Sequence, residues 1–96
     1  MYILKLLHEV KAVKKIKQAK HTREIIYPER IRGLRQDNDL SQKTVAGILK
    51  VAQNTYSQYE LYRRPMPIEH LMTLCEFYHV SADYILGFSD DKNFRT

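Results

Sequence analysis

In this 96-residue chain, Gln53, Asn54, Ser57 and Gln58 are the residues whose types and spacing point to chemistry. They fall at i, i+1, i+4 and i+5, which on a helix is a single face. That face carries no charge, whereas a helix face that only meets water more commonly carries Lys and Glu. A carboxamide presents a donor and an acceptor in one plane. That combination matches N6 and N7 on the major-groove edge of adenine, where one good bidentate contact contributes about 1–3 kcal/mol of discrimination. Other chemistries lack their residues. His8, His21, His70 and His79 share no metal-ligand spacing with one another or with Cys75. There is no Gly-rich phosphate loop, and no Ser, His and acid arrangement that makes a triad. The expectation is a binding protein with no catalysis, no cofactor and no metal. Cys75, the single cysteine, sits on an apolar helical pattern, which fits a buried thiol in a reducing compartment.

The elements that must position the amide face are two short helices with about three residues between them. Ser41 is a good N-cap for the first, which runs to Leu49. The second runs from Gln53 to about Tyr62. Val45, Ile48, Leu49, Val51, Tyr56 and Tyr59 supply the shared apolar face and force a steep crossing, while Ala46 and Gly47 are small enough to permit close approach. Upstream, a helix begins at Pro28, a favoured first position, carries Ile31 and Leu34 inward, and stops at Asp37-Asn38-Asp39. Gly33 within it costs about 1 kcal/mol against alanine, which predicts a close neighbour there. Downstream, Arg63-Arg64-Pro65-Met66-Pro67 must be loop. A further helix starts near Pro67 or Ile68 with Leu71, Met72, Leu74, Cys75 and Tyr78 on a wide apolar face. Ser81 caps a last helix that carries Tyr84, Ile85 and Leu86 and stops at Gly87. Apolar spacings of three and four throughout, with no sustained alternation, predict an all-α chain.

The net charge of +5 is unevenly placed. Residues 1–26 hold seven basic and two acidic residues, and residues 27–96 hold nine of each. Within the basic arm, Ile3, Leu6, Leu7, Val10, Val13 and Ile16 form an apolar stripe. The stripe needs cover, either from the chain's own domain or from a second copy. No apolar run approaches the roughly 18 residues of a membrane span, and the first residues lack the basic n-region of a signal peptide. Three parts are expected: a basic amphipathic helical extension over 1–26, a helical domain over 27–88, and a polar tail over 89–96 that frays.

The motifs Arg30-Ile31-Arg32-x-Leu34-Arg35, Leu40-Ser41-Gln42, Val51-Ala52-Gln53-Asn54-Thr55-Tyr56-Ser57-Gln58-Tyr59-Glu60 and Val80-Ser81-x-Asp83-Tyr84-Ile85-Leu86-Gly87 stand in one order over about two-thirds of the chain. Residues 27–88 thereby resemble the lambda-repressor-like, Cro/repressor-type (XRE family) helix-turn-helix domain. The resemblance implies a five-helix fold, here with an extra N-terminal basic amphipathic helix. It implies that Gln53, Asn54, Ser57 and Gln58 read base edges, and that Gln42 holds a phosphate at a helix N-terminus, where free N–H groups favour anions. Lys43, Lys50, Thr55, Arg63 and Arg64 are the further phosphate candidates. It also implies a partly buried salt bridge between Arg35 and Glu60. Two positions depart from the family pattern. Lys50 stands where glycine is usual, and Leu61-Tyr62 where Asn-Gly is usual. Tyrosine is disfavoured at positive φ, so either the second helix runs a residue longer or the following loop takes another path.

The function expected from this resemblance is sequence-specific binding of double-stranded DNA by a transcriptional regulator, a repressor. It would act in the cytoplasm of a bacterial or phage system, on the nucleoid. A homodimer would read a pseudo-palindromic operator with half-sites one helical turn apart, joined either around residues 84–88 or through the N-terminal helix. The alternative is an antitoxin or other interaction module that grips a small protein partner through residues 1–24. A membrane anchor is disfavoured, because the arm has no Trp or Phe.

Overall fold

The computed structural model describes residues 24–94, which form five helices. The expected helical extension over 1–26 lies outside the described residues except for residues 24–26, which are not helical, and the partner surface over residues 1–24 lies outside them apart from Glu24. The helices are α1 (Tyr27–Asp37), α2 (Gln42–Leu49), α3 (Gln53–Glu60), α4 (Ile68–Tyr78) and α5 (Ala82–Leu86). Their starts follow the sequence chemistry. Ser41 and Ser81 each accept the backbone N–H three residues on, from Thr44 and Tyr84, satisfying donors that the first turn leaves free. Pro28 occupies the first turn of α1, where its missing N–H costs nothing.

The helix ends share one device. In each, a residue with positive φ turns the chain, and the next N–H reaches back five residues to a helix carbonyl. The back-bonds run from Leu40 to Arg35, Val51 to Ala46, Arg63 to Gln58, Val80 to Cys75 and Phe88 to Asp83. The residues at positive φ are Asp39, Lys50, Tyr62, His79 and Gly87. Only the last is glycine, and a Cβ there would fall 2.5 Å from Ile26 Cγ1. Helix α3 therefore ends at Glu60, short of the expected Tyr62. Neither sequence-based alternative holds in full: the helix stops short, and the loop makes a left-handed turn with tyrosine at positive φ. Tyr62 is held there by an edge-on contact with Tyr27, ring centroids 5.7 Å apart.

The core is Ile31 and Leu34 of α1, Val45, Ala46 and Leu49 of α2, Tyr56 and Tyr59 of α3, Leu71, Leu74 and Cys75 of α4, with Val80 and Ile85. Four expectations are corrected. Met72 and Leu86 are exposed, because they flank a trough between α4 and α5 that no described residue fills. Gly33 has nothing within 4 Å of where its Cβ would be, so no close neighbour explains it. Gly47 is equally open, which leaves Ala46 alone as the small residue at the α2–α3 contact. Residues 89–94 do not fray. Arg30 donates to the carbonyls of Tyr84 and Ser89 and pairs with Asp90 at 2.8 Å. Val80 bridges to Asn93, and Phe94 stacks on His79. Among the described residues, no helix is long and apolar enough to cross a membrane, and no group of three or more His, Cys, Asp or Glu could hold a metal ion.

Candidate nucleic-acid interface

Helix α3 has two faces of opposite character. Tyr56, Tyr59 and Glu60 point into the core. On the other side Gln53 and Asn54 are exposed, and Ser57 and Gln58 are half-buried. None of these four side chains has a hydrogen-bond partner among the described residues. Their donors and acceptors are free for a ligand, and the helix that carries them is fixed from behind.

That fixing centres on Glu60, whose side chain is 0% exposed. Arg35 grips it with both arms of its guanidinium, Nε to Oε2 at 2.7 Å and Nη2 to Oε1 at 3.0 Å, the planar fork that suits a carboxylate. Arg35 Nη1 also donates to the Leu40 carbonyl, which ties down the α1–α2 turn. Gln42 Nε2 donates to Oε1 at 3.1 Å, so the first residue of α2 is bound to the last residue of α3. Burial alone would raise the Glu60 carboxyl, but Arg35, the adjacent Tyr56 phenol and Gln42, in that order, outweigh it and hold the group below the usual carboxylate range. Arg35 is raised in turn, chiefly by its bond to Glu60. Burial pushes the Tyr56 and Tyr78 phenols upward, with Glu60 adding to both, Tyr78 to about 12. Their hydroxyl oxygens are buried without a hydrogen-bond partner.

Exposed cations lie on α2 and on the turns that flank α3 in the chain. Lys43, Lys50, Arg63 and Arg64 are exposed, and none is in an ion pair among the described residues. Thr55 is half-buried on α3. Gln42, the first residue of α2, spends one amide hydrogen on Glu60, which leaves the other without a partner among the described residues. The sequence reading missed Arg32. It lies three residues before Arg35 on the same face of α1, is half-exposed, and approaches Glu60 to 3.6 Å. Its i, i+3 spacing to Arg35 was the available signal. Reading also missed Tyr27, whose hydroxyl accepts the Met66 N–H and fastens the loop containing Arg63 and Arg64 to α1. Of residues 84–88, Leu86 and Phe88 are exposed, while Arg30 lies 4.1 Å over the Tyr84 ring and covers it.

A tripartite arrangement of this kind, a capped helix, a three-residue turn and a helix with an open polar face, is shared with known proteins. The family model described as Helix-turn-helix matches residues 31–85, more than half of the chain. The chain belongs to this helix-turn-helix family. Membership agrees with the XRE-type resemblance drawn from the motifs and with the all-helical architecture. The helix-turn-helix chain is similar to the uncharacterized HTH-type transcriptional regulator YobD of Bacillus subtilis (strain 168), at 36% identity over 68 residues, 71% of this chain and 61% of the relative. It is also similar to the HTH-type transcriptional regulator ImmR of the same organism, at 36% identity over 59 residues, 62% of this chain and 46% of the relative. It thus spans about half to three-fifths of the length of these relatives. No solved structure matches it.

Proposed function

We propose that this helix-turn-helix chain is a transcriptional regulator, a repressor, that binds double-stranded DNA with α3 in the major groove. The observation that carries the reading is the partnerless amide face of Gln53, Asn54, Ser57 and Gln58, held on a helix whose other face is locked to Arg35 and Gln42. In this geometry Gln53, Asn54 and Gln58 read base edges and Ser57 sits close against them. Lys43, Lys50, Thr55, Arg63, Arg64 and the remaining Gln42 donor hold phosphates, and the backbone N–H groups at the start of α2 add to that attraction. We add Arg32 to this set. The regulator names of the two relatives support the reading.

One helix of this length covers only a few base pairs. The reading therefore includes a homodimer that places two copies of α3 about 34 Å apart on a pseudo-palindrome, working in the cytoplasm on the nucleoid. Selection of bound duplexes from a random pool, followed by sequencing, tests it. A two-fold symmetric site is expected, and Gln53→Ala/Gln58→Ala should bind the pool while losing preference for that site. Equal binding of all duplexes by the unaltered protein would refute sequence-specific reading.

A further inference from the structure

A trough of about 550 Å³ runs between α4 and α5. Leu71 and Cys75 line its floor, and the exposed Ile68, Met72 and Leu86 its sides. Its rim holds three carboxylates, Glu76, Asp83 and Asp91, and no Lys, Arg or His. None of the three is in an ion pair among the described residues. A second hollow of about 240 Å³ shares Ile68, Leu71 and Leu86 with the trough and reaches Tyr27. The residue before Tyr27 is Ile26, which lies against Gly87. The chain preceding residue 24 therefore leaves the domain at one end of an apolar, acid-rimmed trough.

We propose that residues 3–16 of the same chain occupy this trough. The occupant's chemistry fits from the sequence. Ile3, Leu6, Leu7, Val10, Val13 and Ile16 supply an apolar stripe at helical spacing, and Lys5, Lys11, Lys14, Lys15 and Lys17 flank it. The five excess positive charges of residues 1–26 meet a rim of three unpaired negative ones. As a helix the 14 residues measure about 21 Å, against about 17 Å for the eleven of α4. Residues 17–23 can extend to about 23 Å, enough to fold the stripe back along α4. Tethering so close to the trough gives the segment an effective concentration on the order of millimolar, which favours it over a second copy. An amphipathic helix laid in an apolar groove is a recurrent recognition mode, and an exposed apolar patch of this kind calls for a partner. The inference does not depend on the DNA reading.

The test uses the full-length protein, mixed from unlabelled and ¹⁵N-labelled chains and treated with a zero-length carbodiimide that joins lysine to carboxylate. Mass spectrometry should find lysines of residues 5–20 joined to Glu76, Asp83 or Asp91 within chains of one isotope. In Leu7→Glu/Val10→Glu those links should fall at least about tenfold, and peroxide should oxidise Met72 several times faster. Met72→Glu, at an exposed position, should lower the links from the trough side. Links that pair the two isotopes would assign the trough to a second copy and overturn the proposal. So would links confined to Glu29, Asp37 or Asp39, or Met72 oxidation unchanged by the arm substitutions.

Discussion

The two faces of α3 are opposite in character. Inward, Glu60 takes hydrogen bonds from two residues on two different helices, and Tyr56 and Tyr59 are buried beside it. Outward, four uncharged polar side chains bond to nothing in the described structure. The difference teaches how one short helix can be both stiff and available. The charged group that restrains it is spent on the hidden side, and the outward polar groups are kept out of the protein's own network. Eight residues could not do this alone, because an isolated helix of that length is marginal in water.

The largest effect should come from breaking the hidden face. Glu60→Ala strands the Arg35 guanidinium, which is 14% exposed, and is expected to cost about 3–5 kcal/mol, seen as a lowered urea midpoint. If that loss stayed under about 1 kcal/mol, the lock would not be what holds α3. Next, each of Gln53→Ala and Gln58→Ala should cost about 1–3 kcal/mol of discrimination at its base pair while moving stability by no more than about 0.5 kcal/mol. Parallel competition binding and melting curves would show whether the two faces separate in this way. Acid sharpens the contrast further. The Glu60 carboxyl is depressed in the folded state, so its stabilisation is complete above the unfolded value near 4.3. It is lost as pH falls through the lower folded value. Melting temperature should drop from about pH 5 downward, and less steeply in Glu60→Gln. The smallest effect belongs to the rim. Lys50 is exposed at φ 59° with no side-chain bond, so Lys50→Gly should stabilise the fold by about 1 kcal/mol. It should also reduce the salt slope of DNA binding by about one. An unchanged slope would remove Lys50 from the phosphate set.

Much of this contrast was legible in the sequence, because helical period divides residues 53–60 into Tyr56 and Tyr59 on one side and the amides on the other, and the family resemblance implied the pairing of Glu60 with Arg35. Caps were equally plain, since Ser41 and Ser81 act through bonds three residues long. What escaped was non-local. Nothing near Met72 or Leu86 in sequence tells that their apolar side chains border an unfilled trough. Likewise Arg30 reaches Ser89 and Asp90 about 60 residues away, so the anchoring of the tail had no local signature. The left-handed turn at Tyr62 was obscured for a different reason. Local sterics argue against tyrosine there, and a ring contact to the far end of α1 supplies the compensation.

Tyr27 opens α1, and its hydroxyl receives the Met66 amide. The point where the leading arm departs and the arginine-bearing loop beside α3 are thus moored to one ring. Replacing that ring would therefore loosen two places at once, the entry to α1 and the loop that carries Arg63 and Arg64.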